Sequence, residues 1–172
     1  MPKLAALTLT IFVLAIIDTW LFGLAPLAAL HLQVWMSFIA WGVHFMAGGK
    51  TSGAKAAVLS MSFGAVVGMC AALAIGSLSF LGSLAAPVAV GVGAAVIVLG
   101  SKIPTLEAIP AGFYGFAAIF ALIGLKGVDS PTAAIGPTII SIVIGAAFGY
   151  VSEVVTDVLS KKSSELAEAT AS

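Results

Sequence analysis

Phe38-Ile39-Ala40-Trp41-Gly42-Val43-His44-Phe45 is answered 75 residues later by Phe113-Tyr114-Gly115-Phe116-Ala117-Ala118-Ile119-Phe120. The two stretches set aromatic rings at the same relative positions: Phe38, Trp41 and Phe45 in the first, Phe113, Phe116 and Phe120 in the second. Gly49 and Gly124 follow at the same offset. Residues three and four apart share one side of a helix, so each stretch reads as a helix with an aromatic stripe. Each also leads through a short polar turn into a long apolar segment with a Gly-x-x-x-Gly, first Gly64 and Gly68, then Gly145 and Gly149. The chain reads as two copies of one unit.

Composition says where that unit resides. The 172 residues are 61% hydrophobic and 8% charged, with a mean hydropathy of +1.21, far from soluble globular usage. An integral membrane protein is expected, with the lipid bilayer as its first partner. Zero net charge and the absence of a basic run leave no footprint for nucleic acid. The one cysteine, Cys70, sits in an apolar run and reads as a small buried residue. Met1 to Lys3 ahead of an apolar run resembles a secretory leader, but the run continues through Asp18 to Leu30. That is too long for a leader, and Ala25 to Ala29 forms no good cleavage site. The segment is therefore expected to remain as the first helix.

A spanning helix needs about 20 apolar residues. Six candidates are expected, at about Leu4–Leu30, Val34–Ala47, Ala54–Leu78, Leu84–Gly100, Ala111–Leu125 and Thr132–Leu159, followed by a frayed polar tail over 160–172. The second and fifth, which carry the stripes, are short enough to be short spans or broken helices lining a cavity. Arginine is absent, so orientation rests on lysine. With both termini cytoplasmic, Lys3, Lys50, Lys55, Lys102, Lys161 and Lys162 lie inside and only Lys126 outside, as the excess of positive charge on cytoplasmic loops requires. Three spans per copy is an odd number, so the second copy enters the membrane upside down. The expected fold class is thus all-α, a polytopic membrane protein of six helices in a 3+3 inverted repeat, with copies at about 4–78 and 84–159. Gly64, Gly68, Gly145 and Gly149 are expected at close helix crossings, and abundant small residues point to a homo-oligomer.

Few residues offer chemistry. No metal-ligand pattern, no phosphate-binding loop and no base beside Ser60 or Ser62 is evident, so neither an enzyme nor a cofactor or metal is expected. Asp18 is the one carboxylate well inside a span, where charge is costly; it reads as a proton site or solute ligand, or else as a helix–helix hydrogen bond. His44, beside the first stripe, could donate to a passing solute or serve as a satisfied structural histidine. Glu153 and Asp157 share a helix face near its inner end, as cation attractors or simply as a helix emerging into water. The stripes Phe38, Trp41, Phe45 and Phe113, Phe116, Phe120 are either packed core or, facing each other across the repeat axis, an apolar constriction. Ser37, Ser60, Ser62, Thr138 and Ser141 could line the same passage.

Pro110-Ala111-Gly112-Phe113-Tyr114-Gly115, Phe120-Ala121, and Pro137 through Gly145-Ala146-Ala147-Phe148-Gly149-Tyr150 carry a resemblance to a family of bacterial inner-membrane proteins classed as domain of unknown function 1097. Trp35-Met36-Ser37-Phe38 and the Gly48-Gly49-Lys50 turn resemble the matching family segment, so the likeness runs from about residue 35 to 150. It departs at Ala111, an extra residue before the glycine. The resemblance implies a membrane fold and bacterial inner-membrane location, and no activity. The function expected from the residues is a channel or facilitator for a small neutral or weakly ionised solute. A proton-coupled carrier using Asp18 and a non-transporting scaffold or accessory subunit are the alternatives.

Overall fold

In the computed structural model, which describes residues 1–125 and 128–171 with side chains through 162, the described chain is all-helical. Helix α1 spans Lys3–Gly23 and is followed by a single turn, α2, at Ala25–Ala28. Then come α3 (Val34–Met46), α4 (Lys50–Ser77), α5 (Ala85–Gly100), α6 (Ile109–Ile123) and α7 (Pro131–Ala171). Four stretches are long and apolar enough to cross a membrane: Lys3–Gly23, Lys50–Ser77, Ser79–Gly100 and Pro131–Lys162. Helices α3 and α6 are apolar but shorter. These helices point to a membrane protein.

Breaks fall where the chain chemistry demands them. Gly23, with Pro26 just beyond, ends α1 short of the expected Leu30. Gly48 and Gly49, at φ +91° and +69°, reverse the chain between α3 and α4, a region open to glycine at little cost. Pro110 sits in the first turn of α6, where its missing N–H is not needed. Helix α7 does not fray at Leu159 but continues to Ala171; the side chains of Glu165 and Glu168, and the residues Lys126 and Ser172, lie outside the described set.

Packing is organised between the two halves of the chain rather than within them. The most extensive contacts join α4 to α6, α3 to α7, and α4 to α7, while α1 lies against α7 and α5 against α4. These partnerships come in matching pairs, residue for residue. A Cβ on Gly64 would run into the carbonyl oxygen of Gly112, and one on Gly145 into that of Ser37; Gly145 is 81 residues after Gly64, and Gly112 is 75 after Ser37. A Cβ on Gly68 would lie 3.4 Å from Ile119 Cβ, and one on Gly149 2.8 Å from His44 Cβ, again the same two offsets. The close crossings expected at all four glycines are therefore present.

The outer helices obey a third offset, 79. Buried Ala6, Thr10 and Asp18 of α1 correspond to buried Ala85, Ala89 and Ile97 of α5. A groove of about 340 Å³ between α4 and α5 includes Ala74, Leu78, Ala89, Val92 and Gly93. Its counterpart of about 200 Å³ between α7 and α1 includes Val155, Leu159, Thr10, Val13 and Leu14, at the same offsets. Cys70 lines the first groove and is exposed, which corrects the expectation of burial: it faces the open gap between α4 and α5 rather than a packed helix contact.

Candidate functional site

The two stripes do not meet. Helix α3 rests on α7 and α6 on α4, with little direct contact between α3 and α6. Trp41 packs on Phe148 at a ring separation of 5.6 Å, while Phe116 lies against Gly93 and clusters with Ala71 and Ile97. Phe38 and Phe113 are 40% and 38% exposed, and Phe45 and Phe120 are half-buried. The expected apolar constriction across a common axis is corrected here: each stripe is seated on the long helix of the other half, because glycines in α4 and α7 admit the ring-bearing helices there.

Most of the buried polar groups gather in one seam, among α1, α3 and α7. At one end, Ser141 Oγ accepts the Gln33 N–H at 3.0 Å and donates to the Pro137 carbonyl at 2.8 Å. Next, Ser37 Oγ donates to Asp18 Oδ1 at 3.1 Å, both side chains fully buried. Trp41 Nε1 then donates to Ser152 Oγ at 3.1 Å. At the other end, His44 Nε2 meets Glu153 Oε2 at 3.2 Å, and the same oxygen accepts the N–H of Lys50 at the start of α4. Three buried atoms in or beside the seam lack a protein partner among the described residues: Asp18 Oδ2, His44 Nδ1 and Thr10 Oγ1.

The matching seam among α5, α6 and α4 holds the same geometry with almost none of these groups. At the three offsets, Asp18 corresponds to Ile97, Ser37 to Gly112, Trp41 to Phe116, His44 to Ile119, Thr10 to Ala89, and Ser152 and Glu153 to Ala71 and Ala72. Ile97 and Ile119 are as deeply buried as Asp18 and His44. The chain thus carries its own control, in which this helix arrangement is closed with apolar side chains. Buried polar groups cost free energy unless fully paired, so packing does not account for the polar set. Ser37, Asp18, His44 and Ser141 were legible as candidates; Thr10, Gln33 and Ser152 were not. The signal that finds them is the comparison of aligned halves.

The remaining expected groups divide cleanly. Thr138 Oγ1 donates to the Ala134 carbonyl one turn back, a local bond common in apolar helices. Ser60 and Ser62 carry buried hydroxyls without a partner among the described residues. Glu153 is tied to His44 and Lys50, whereas Asp157 pairs with Lys3 at 3.0 Å in an exposed bridge. Removing the Lys3 charge by Lys3→Ala is expected to shift stability by less than about 0.5 kcal/mol, as read by thermal unfolding in detergent. Trp41→Phe should cost about 0.5–1 kcal/mol through the lost Ser152 bond. The Trp41→Phe/Ser152→Ala double variant, which copies Phe116 and Ala71, should cost no more than the single one, so a double-mutant cycle should show coupling of that size. No coupling would mean the indole bond is incidental.

A family model described as "Protein of unknown function (DUF1097)" matches residues 8–157. No curated protein and no solved structure matches the chain.

Proposed function

We propose, from the premise that the chain belongs to the DUF1097 family, a proton-coupled carrier of a small solute built as a six-helix 3+3 inverted repeat, with Asp18 as the proton-carrying group. The paired crossings and the three constant offsets support the inverted repeat, since a twofold relation makes each contact occur twice. In this arrangement the short α3 and α6 complete the six transits beside the four long helices. Lysine placement supports an inner-membrane orientation with both termini cytoplasmic.

The single observation that carries the proton role is the polar seam beside its apolar copy. Asp18 is fully buried and holds one hydrogen bond on Oδ1, leaving Oδ2 without a protein partner among the described residues. Ionisable residues inside spanning helices mark ion and proton pathways, and Asp18 belongs to α1, which is not held by the glycine crossings of α3, α4, α6 and α7. A proton added to or removed from Asp18 changes what α1 offers to Ser37, and so can couple the seating of α1 to the proton gradient.

Purified protein in proteoliposomes with an imposed pH gradient, tested against a panel of small amides, weak acids, amines and zwitterions, provides the check. Gradient-dependent uptake of at least one compound above empty liposomes is expected. Uptake that ignores the gradient would favour a passive facilitator. No uptake at all, together with a stable partner on purification, would favour an accessory subunit.

A further inference from the structure

We infer that a pocket between the first turns of α4 and the Pro104–Leu106 turn ahead of α6 binds a small zwitterion, an amine and a carboxylate on a short carbon skeleton. The pocket holds about 190 Å³ and is lined by Lys55, Glu107, Ser52, Thr105, Leu59 and Ser60, among others. Since about 10–15 Å³ of such space holds one water, the pocket has room for a small molecule of several non-hydrogen atoms. Ser60 is 1% exposed, and its hydroxyl has no partner among the described residues. Lys55 and Glu107 bring one charge of each sign to the same lining, and among the described residues no ion pair engages either.

The repeat shows that this opening is particular to one half. At the offsets 81 and 75, Ser60 corresponds to Ser141, Ala108 to Gln33 and Glu107 to Leu32. There the serine is occupied by the Gln33 N–H at 3.0 Å, and Leu32 is buried at 8% exposed. One half seals the position with an apolar side chain and a backbone donor; the other sets Glu107 at an exposed position and leaves the buried Ser60 hydroxyl without a partner among the described residues. A singly charged anion would face Glu107 and a singly charged cation would face Lys55. A zwitterion meets both in favourable sense, with charge-assisted hydrogen bonds to each end.

In the carrier reading this pocket is where solute loads. The inference rests on that reading for its role, but its occupancy is measured at equilibrium, without vesicles or gradient. Calorimetric titration of the full chain in nanodiscs with glycine and β-alanine, against acetate and methylamine, separates the two. Binding of the zwitterions and at least tenfold weaker binding of the singly charged compounds are expected. Lys55→Gln and Glu107→Gln, both at exposed positions, should each weaken zwitterion binding about tenfold or more. Glu107→Leu, which copies the sealed half, should abolish it with the thermal midpoint retained. Wild-type protein that keeps its thermal midpoint but binds neither zwitterion overturns the inference. So does acetate or methylamine binding as tightly, or Glu107→Leu binding as well as wild type. Uptake failing while binding holds would count against the carrier alone.

Discussion

Gly145→Ala is expected to destabilise the protein by about 3 kcal/mol or more, the upper end of what overpacking costs. The added methyl would sit on the backbone of Ser37, meeting its carbonyl oxygen with its carbonyl carbon and Cα close behind. A side chain could swing away from such a clash, but two helix backbones in contact cannot. Helix α3 would have to lift from α7 until the methyl reached ordinary contact, loosening the Ser37–Asp18 and Trp41–Ser152 bonds in the same movement. Gly64→Ala, against the carbonyl of Gly112, should cost a similar amount. For a chain of this size the thermal midpoint in detergent should fall by about 10 °C. Gly42→Ala and Gly91→Ala, which have nothing within 4 Å of the new Cβ, should leave it unchanged or slightly raised. Equal midpoints for all four variants would remove the close crossings as the basis of the fold.

Asp18→Asn is expected to reduce gradient-driven uptake by at least about a hundredfold while leaving the fold intact. Asparagine keeps the shape of the side chain and can still accept from Ser37 Oγ, so the seam remains closed; what is lost is the ability to take up and release a proton. Uptake driven by solute gradient alone, or solute exchange at equal pH on both sides, should fall much less, which separates coupling from binding. Ser37→Ala is the milder companion, since it removes the one hydrogen bond that the Asp18 side chain makes among the described residues without removing the titrating group; it should shift the pH profile of uptake rather than abolish it. Undiminished gradient-driven uptake in the Asp18→Asn protein would rule out Asp18 as the proton carrier. Asp18→Ile, which copies Ile97, should fold at least as well as wild type and be inactive.

The helix list was legible because apolar runs, glycine pairs and prolines are local signals, and the duplicated stripes raised the comparison of the two halves on which the proposed repeat rests. The third offset was hidden. Helices α1 and α5 bury only a few residues each, and their remaining apolar positions are free to differ, so little in the sequence aligns one with the other. Partner choice was hidden too: an aromatic stripe at helical spacing says that one side of a helix is special, not what it faces. Its duplication invited a shared axis, but a repeated packing role leaves the same mark. Trp41 and Phe116 are duplicated because each fits over a glycine-bearing helix of the other half. The polar seam was legible only in part, since Asp18 and His44 stood out by their cost in lipid, while Thr10 and Ser152 are ordinary helix residues until set beside Ala89 and Ala71.

The reciprocal seating of α3 on α7 and of α6 on α4 bears on how the chain is made. During synthesis α1, α3 and α4 emerge first, with the glycine notches at Gly64 and Gly68 uncovered and with the Ser37 backbone of α3 not yet seated on Gly145. Their counterparts are the last to leave the ribosome, so the amino-terminal half waits in the bilayer as an unfinished surface and closes only when α6 and then α7 arrive. The two halves should accordingly complement each other when produced as separate polypeptides, and neither should survive long on its own.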